Sequence, residues 1–499
     1  MSKKSQHNNI LLAVIGFTAV VILVGVIGFF TLEQKDDYMG IGDKGILSVG
    51  TDMEKTVLEM IGEMFDVISK KKYGEVLSKE EIEYVVQEYT NGTIPDYQMS
   101  AFLMAVYFKG MSYEETFLLT MAMADSGDRL DLSAVNGINV DKHSTGGVGD
   151  KTTLVLAPMV AACGGKVAKM SGRGLGNTGG TIDKLESIPG FRTSLSKEEF
   201  IKNINETGLA LTGQTGNLAP ADKKIYALRD VTAVVDSIPL IASSIMSKKI
   251  ASGAKAIVLD VKVGNGAFMK NMDDAVKLAK QMVKIGESAG RNTIAVISDM
   301  NEPLGYAVGN ALEVKEAVDT LKGHGPADLV ELCMELGAQM LIASDITHDR
   351  NKAYEMLSSV IEDGSAYDKF IEFVKRQGGD ISIFDDCKSL KKADYTVDIT
   401  ADKEGYVHHI QSELIGEASM ILGGGRQNKE DKIDHYVGVV LSKKVGDAVK
   451  EGDAIATIYA NDKKKIDDAK ALIVKAFDIN NQIVDTYMLI KRIISCKNV

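Results

Sequence analysis

From Gly137 onward the chain keeps one rhythm: a short β-rich run, a turn, then a helix, and two of the turns are crowded with glycine. Ile138–Val140, Lys166–Met170, Ala256–Val263 and Thr293–Ser298 read as strands, and Asp273–Ala289 as one of the helices separating them. Alternation at that spacing predicts an α/β sheet with helices packed on its faces. The residues before it, from about Met64, carry a helical apolar period. Ser78-Lys-Glu-Glu81 and Ser112-Tyr-Glu-Glu115 read there as capping boxes, a signature repeated later at Ser196-Lys-Glu-Glu199. After about Asp394 the texture changes to short alternating strands with glycine turns, including Val445-Gly-Asp-Ala-Val-Lys-Glu-Gly-Asp453. That stretch predicts a small β-rich C-terminal unit.

Composition removes several classes of function. The 499 residues carry a net charge of −12, which argues against a body that coats nucleic acid, since phosphate neutralisation needs clustered cations. A hydrophobic content of 45% against 25% charged residues is globular rather than disordered. Cys163, Cys333, Cys387 and Cys496 show no metal-like spacing, and Cys163, inside an apolar run, reads as a buried free thiol.

The N-terminus differs from the rest. Ile10–Phe30 is a run of 21 uncharged residues in which only Thr18 is polar, long enough to span the bilayer core as a helix. No small-residue cleavage pattern precedes Thr31, so the expectation is an uncleaved single-helix membrane anchor at 10–30; the cytoplasm is the expected side for the rest of the chain. The alternative is a start near Met64 and a cytoplasmic protein.

Three segments carry chemistry. Lys142-His-Ser-Thr-Gly-Gly-Val-Gly-Asp-Lys-Thr-Thr153 follows a strand and precedes the apolar helix Leu154–Cys163. Three glycines in four positions let successive backbone N–H groups face one anion, and the helix N-terminus adds partial positive charge. The spacing is not that of a Walker A loop. Lys169-Met-Ser-Gly-Arg-Gly-Leu-Gly-Asn-Thr-Gly-Gly-Thr181 is a second strand leaving into glycine, five within nine residues, and the two loops together suit one oxyanion. In the third, Tyr226-Ala-Leu-Arg-Asp-Val-Thr232 and Ser237–Lys249, a helix would put Ser244 and Lys248 on one face at i and i+4, and Arg229 offers a planar fork to a carbonyl-rich ring or a carboxylate. His143, beside the first loop, stands where a general acid would be wanted.

Taken in order, these segments resemble the thymidine and pyrimidine-nucleoside phosphorylases, more closely the bacterial pyrimidine-nucleoside enzymes, from about Met64 to the C-terminus. The resemblance implies a homodimer built from a small all-helical domain (64–130, completed by about 221–252), a large α/β phosphate-binding domain (131–220 and 253–393) and a β-rich C-terminal domain (394–499), preceded by the extension 1–63. It implies reversible phosphorolysis of thymidine, uridine or deoxyuridine to free base and (2-deoxy)ribose 1-phosphate, for nucleoside salvage. Phosphate would be held by Lys142, His143, Ser144, Thr153, Lys169, Met170, Ser171 and Thr181, and the pyrimidine by Arg229, Ser244 and Lys248. His143, Arg229 and Lys248 would do the chemistry.

Some relatives also hold a structural K+, at positions matching Gly149, Lys151, Leu304, Ala307 and Glu316. Lys151 departs from the threonine expected there. Its ammonium would compete with a metal cation unless the side chain points away and only the carbonyl is used. Asn177 replaces a histidine associated in the family with the closed state. The C-terminal run is similar to a lipoyl- or biotinyl-type barrel, but no Met-Lys-Met stands in it, so no organic cofactor is expected. The competing readings are a strict thymidine phosphorylase, a membrane-tethered nucleoside-binding protein without turnover, and an anthranilate-type phosphoribosyltransferase. The last also uses a Thr-Gly-Gly loop, but its acidic metal-binding signature is missing from this sequence.

Overall fold

Strands flanked by apolar helices can bury both faces, and the central strands here do. The computed structural model describes residues 62–499 apart from 175–178, 215–216, 385–392, 427–430, 485 and 499. The candidate anchor 10–30, Asn177 and Cys387 lie outside the described residues; among the described residues no helix is long and apolar enough to cross a membrane. Five parallel strands, β1 (Asn139–Ser144), β2 (Lys166–Ser171), β3 (Leu209–Gly213), β4 (Ala256–Val263) and β5 (Asn292–Asp299), form a sheet with the C-terminal strand Ile490–Ile494. Its order is Ile490–Ile494, β5, β4, β1, β2, β3, with the C-terminal strand antiparallel to β5.

Alternation along β4 divides the core. Val258 joins the cluster under the helices Thr152–Ala162, Ala327–Ala343 and Ser365–Arg376, whereas Ile257, Leu259 and Val261 meet the helices Ile238–Ala251 and Met272–Ser288 on the other face. All eight residues of β4 are buried, as expected for a parallel strand covered on both sides. The chain order also fixes where a ligand can sit. From β1 the chain runs outward through β2 to β3, then returns to the other side of β1 for β4 and runs the opposite way to β5. The crevice outside the carboxyl ends of β1 and β4 is therefore a topological switch point, the usual place for a ligand in an open α/β sheet.

The helical lobe forms from Lys79–Asn91, Asp96–Lys109 and Tyr113–Asp125, and its apolar cluster includes Ala221, Ile225, Val234 and Leu240 from the later helical segment. All three capping boxes form. One of them does more: Glu115 accepts from the Ser112 amide at 2.7 Å, and its other oxygen receives Lys71 Nζ at 2.6 Å and the Leu77 amide at 2.9 Å.

The C-terminal region departs from the β-rich expectation in two ways. Its two small sheets pack against the helices Ser412–Ser419 and Ile466–Ala476, whose short apolar stripes are lost among the strands in sequence. Its last strand leaves it altogether and completes the main sheet. In exchange the four-stranded small sheet takes Ala307–Val308 from the α/β part, with Ala307 opposite Val440 and Val308 opposite Val439.

Helix Met272–Ser288 packs so tightly on β5 that a Cβ at Gly286 would lie 2.0 Å from Thr293 Oγ1. The Gly286→Ala variant is expected to lose about 1–3 kcal/mol of stability, the usual cost of overpacking. Urea unfolding reads this, and an unchanged midpoint would show that the helix can move off the strand at no cost.

Candidate active site

The first glycine loop leaves β1 after Ser144, the second leaves β2 after Ser171, and both begin at the carboxyl edge of the sheet. Gly146 takes φ +100° and Gly149 φ +73°, the left-handed region in which a side chain is strained, and Ser144 Oγ accepts from the Gly146 amide at 3.2 Å. In the second loop the Gly174 amide donates to Asp183 Oδ2 at 2.7 Å, and a Cβ on Gly180 would lie 2.1 Å from that amide nitrogen. Thr181 then opens the one-turn helix Thr181–Leu185, whose Lys184 reaches back to the Asp150 carbonyl at 2.8 Å and to Glu313 at 3.0 Å. The two loops are thus bound to each other. Thr153, at the start of helix Thr152–Ala162, and Ser171 are buried beside them.

Beneath the loops lies a cluster of buried charges. Lys142 Nζ donates to Thr152 Oγ1 at 2.6 Å and stands 3.5 Å from Asp150 and 3.3 Å from Asp260; Asp260 also pairs with Lys262 at 2.8 Å and accepts from Ser298 Oγ at 2.6 Å. Burial alone would lower Lys142, but Asp150 and Asp260 outweigh it and hold the ammonium above its ordinary range. Burial likewise opposes the ionisation of Asp150, yet Lys142, Lys262 and Lys184 hold it well below the usual carboxylate range.

Asp141 organises the neighbouring group. It lies 3.3 Å from Lys169 Nζ and 2.7 Å from Lys249 Nζ, and Lys249 also donates to the Met170 carbonyl at 2.9 Å. Lys169 donates to the Lys142 carbonyl at 2.7 Å. Burial, with Lys249 and Lys142 nearby and only Asp141 in opposition, brings Lys169 down to about 7.

His143, half-buried on β1, stands where these groups meet. Burial and the ammonium groups of Lys249, Lys169, Lys248 and Lys142 hold its imidazole well below the ordinary range, so it is neutral in the empty site. The structure therefore qualifies the expectation of a general acid: an uncharged imidazole can donate one hydrogen bond, but it holds no spare proton until an anion arrives.

The expected base-binding residues come from the helices Pro220–Val231 and Ile238–Ala251. Ser244 and Lys248 do share a face, with Lys248 Nζ donating to Ser244 Oγ at 2.8 Å and to Asp222. Burial lowers the Lys248 pKa despite the Asp222 carboxylate. Arg229 is placed otherwise than expected. Its fork donates to the backbone carbonyls of Val235 at 2.6 Å and Leu240 at 3.1 Å, fastening the turn between the two helices instead of pointing at open space.

The K+ expectation meets a direct obstacle. Gly149, Leu304, Ala307 and Glu316 do converge, but the Lys151 ammonium stands among them, 2.8 and 2.9 Å from the Leu304 and Ala307 carbonyls and 2.5 Å from Glu316. As placed, these residues do not fit a metal ion as well.

Sequence reasoning passed over Asp141, Asp150, Asp222 and Asp260, the counterions of the expected site. A signal did exist: Asp260 and Lys262 interrupt an otherwise apolar strand run at alternate positions, so they share one buried face.

Comparison with known proteins agrees with this fold. Residues 65–127 match the "Glycosyl transferase family, helical bundle domain", residues 136–367 the "Glycosyl transferase family, a/b domain" and residues 406–480 the "Pyrimidine nucleoside phosphorylase C-terminal domain". A pyrimidine-nucleoside phosphorylase of Staphylococcus haemolyticus is 58% identical over 87% of this chain and 99% of its own length. Those of Geobacillus stearothermophilus and Bacillus subtilis are 59% and 58% identical, over 82% and 83% of this chain and 94% and 95% of theirs. Among solved structures, anthranilate phosphoribosyltransferase from Thermus thermophilus superposes with a TM-score of 0.52 at 20% identity, over 62% of this chain and 99% of its own, a likeness of fold alone. With its helical bundle, its α/β domain and its C-terminal domain all matched in order, the chain belongs to the pyrimidine-nucleoside phosphorylase family.

Proposed function

We propose that the protein catalyses reversible phosphorolysis of pyrimidine nucleosides, thymidine, uridine and deoxyuridine, giving the free base and (2-deoxy)ribose 1-phosphate. One observation carries the reading: Lys142, Lys169 and Lys249 lie buried against Asp141 and Asp260 behind two interlocked glycine loops, with the Ser244–Lys248 face as a second set of donors. Inorganic phosphate sits against the loops, among Ser144, Thr153, Lys169, Met170, Ser171 and Thr181, with Lys142 underneath. The pyrimidine lies toward Ser244 and Lys248, and Arg229 reaches its carbonyl edge only if the 234–240 turn gives up its hold.

A phosphate oxygen forms the new bond to C1′ as the C1′–N1 bond breaks, and the electron pair leaves with the base. Negative charge therefore develops on the pyrimidine and positive character on the sugar. Lys248 stabilises the first, and the phosphate dianion the second. The dianion also raises the pKa of the adjacent His143, an opposite charge favouring the protonated form, so the residue becomes an acid in the loaded site.

The same reading makes the enzyme a homodimer and leaves residues 10–30 as a membrane tether. Sedimentation of the 62–499 body at twice the chain mass, and partition of the full chain but not that body into membranes, check the two.

Base release followed spectrophotometrically from thymidine and from uridine tests the activity. Phosphate-dependent release from both is expected; a folded protein that binds nucleoside without releasing base would sink the reading. Lys248→Met is expected to lower kcat/KM by about a hundred- to a thousandfold, the scale for a lost preorganised donor, with little change in the affinity for phosphate.

A second expectation concerns protons. Lys169, near 7 in the empty site, is largely neutral at pH 8, and a bound dianion raises its pKa, so phosphate binding there takes up protons from buffer. Calorimetry in buffers of different ionisation enthalpy measures this uptake. It should fall in Lys169→Met to the part that His143 takes up, and an uptake left undiminished by that substitution would assign the Lys169 proton elsewhere.

A further inference from the structure

The family resemblance implies a K+ site at a place where this chain carries a lysine, and the placement of that lysine decides between two outcomes. Lys151 follows the first glycine loop and is the N-cap of helix Thr152–Ala162, with its side chain turned inward and fully buried. An ammonium has three hydrogens and accepts nothing. Here the three acceptors are the carbonyl of Leu304 at 2.8 Å, the carbonyl of Ala307 at 2.9 Å and Glu316 Oε2 at 2.5 Å. Every donor is used.

The surroundings leave little slack. A Cβ at Gly149 would lie 2.7 Å from the Leu304 carbonyl oxygen. One at Gly305, where φ is +66°, would lie 2.3 Å from Glu316 and 3.0 Å from Lys151 Nζ. Glu316 is further fixed by the amides of Tyr306 at 3.0 Å and Ala307 at 3.2 Å. Two carbonyl dipoles and one carboxylate around a single positive charge make a monovalent-cation shell, and an ammonium resembles K+ in charge and size.

We propose that Lys151 is a tethered cation that takes the place of K+: it pins the phosphate loop to the 304–307 turn and to helix Asn310–Leu321, and it makes this enzyme independent of monovalent metal ions. Lys151 is on this account a positioning residue, since it reaches the phosphate only through the loop it holds.

The test compares the full-length protein and its Lys151→Thr variant in choline, sodium, potassium and ammonium chlorides at equal ionic strength. The melting temperature is read alongside phosphate-dependent base release, so the cation effect stays visible even if turnover is absent. The unmodified protein is expected to show the same melting temperature and rate in all four salts. Lys151→Thr opens a cation-sized gap facing two carbonyls and a carboxylate. It should fall about ten- to a hundredfold in rate in choline, the scale for losing a supporting interaction around a bound ion, and melt several degrees lower. Potassium or ammonium should restore both saturably, and Lys151→Thr with Glu316→Gln should lose that rescue. A saturable rise of melting temperature or rate with potassium in the unmodified protein overturns the proposal, and that arm needs no variant to fold. A Lys151→Thr protein as stable and as active in choline as the unmodified one overturns it equally.

Discussion

A site meant for a dianion must concentrate positive charge and still fold when empty, and the rest of the structure is arranged around that conflict. Four buried lysines, Lys142, Lys169, Lys249 and Lys262, face the buried carboxylates Asp141 and Asp260 and the half-buried Asp150. An isolated buried charge costs several kcal/mol even after relaxation, so the carboxylates are what permit the lysines to be there. The compensation is incomplete by one charge. Lys169 absorbs the shortfall: it is brought down to about 7, whereas Lys142, between two aspartates, is held above its ordinary range. On the proposed reading, a bound phosphate dianion supplies the missing negative charge.

The sheet topology makes this cluster possible. Asp141 and Lys142 come from β1 and Asp260 and Lys262 from β4, with Lys142 opposite Val258 and Ser144 opposite Asp260 in register. The two strands lie side by side only because the chain reverses direction across the sheet between them. Lys249 and Lys248 then come from one helix, Lys249 pairing with Asp141 on β1 and Lys248 reaching Ser244 and Asp222. A rigid-body shift of that helix would move both at once.

Much of this was legible in sequence where the cause is local. Capping boxes are short-range chemistry, and all three formed; β4 and β5 were legible as apolar runs of the length a buried strand needs. Leu209–Gly213 escaped because its Leu-Ala-Leu core is as compatible with a helix as with a strand. Ile490–Ile494 escaped because its partner β5 lies nearly two hundred residues away, a pairing no local pattern encodes. The site divides in the same way. Residue types and spacing marked the two glycine loops and the Ser244–Lys248 face, but side-chain direction is set by distant contacts. Arg229 spends its fork on the turn it caps, and Lys151 turns toward carbonyls more than 150 positions along the chain.

That long reach also links the C-terminal region to the first glycine loop. The 303–308 turn that receives Lys151 is gripped from its other side: Ala307 pairs with Val440, and Lys444 donates to the Gly305 carbonyl at 3.2 Å and pairs with Asp328 at 3.0 Å. A chain of direct contacts thus runs from the C-terminal sheet through this turn to Lys151 and the loop in front of it. An exchangeable ion at this junction would make loop order depend on its concentration, because a ligand stabilises only in proportion to its occupancy. A lysine side chain gives up about 2 kcal/mol of rotamer freedom to occupy the same place, but it does so once, on folding, and cannot dissociate. Exchanging an ion for a side chain moves the cost of ordering the loop from the medium into the sequence.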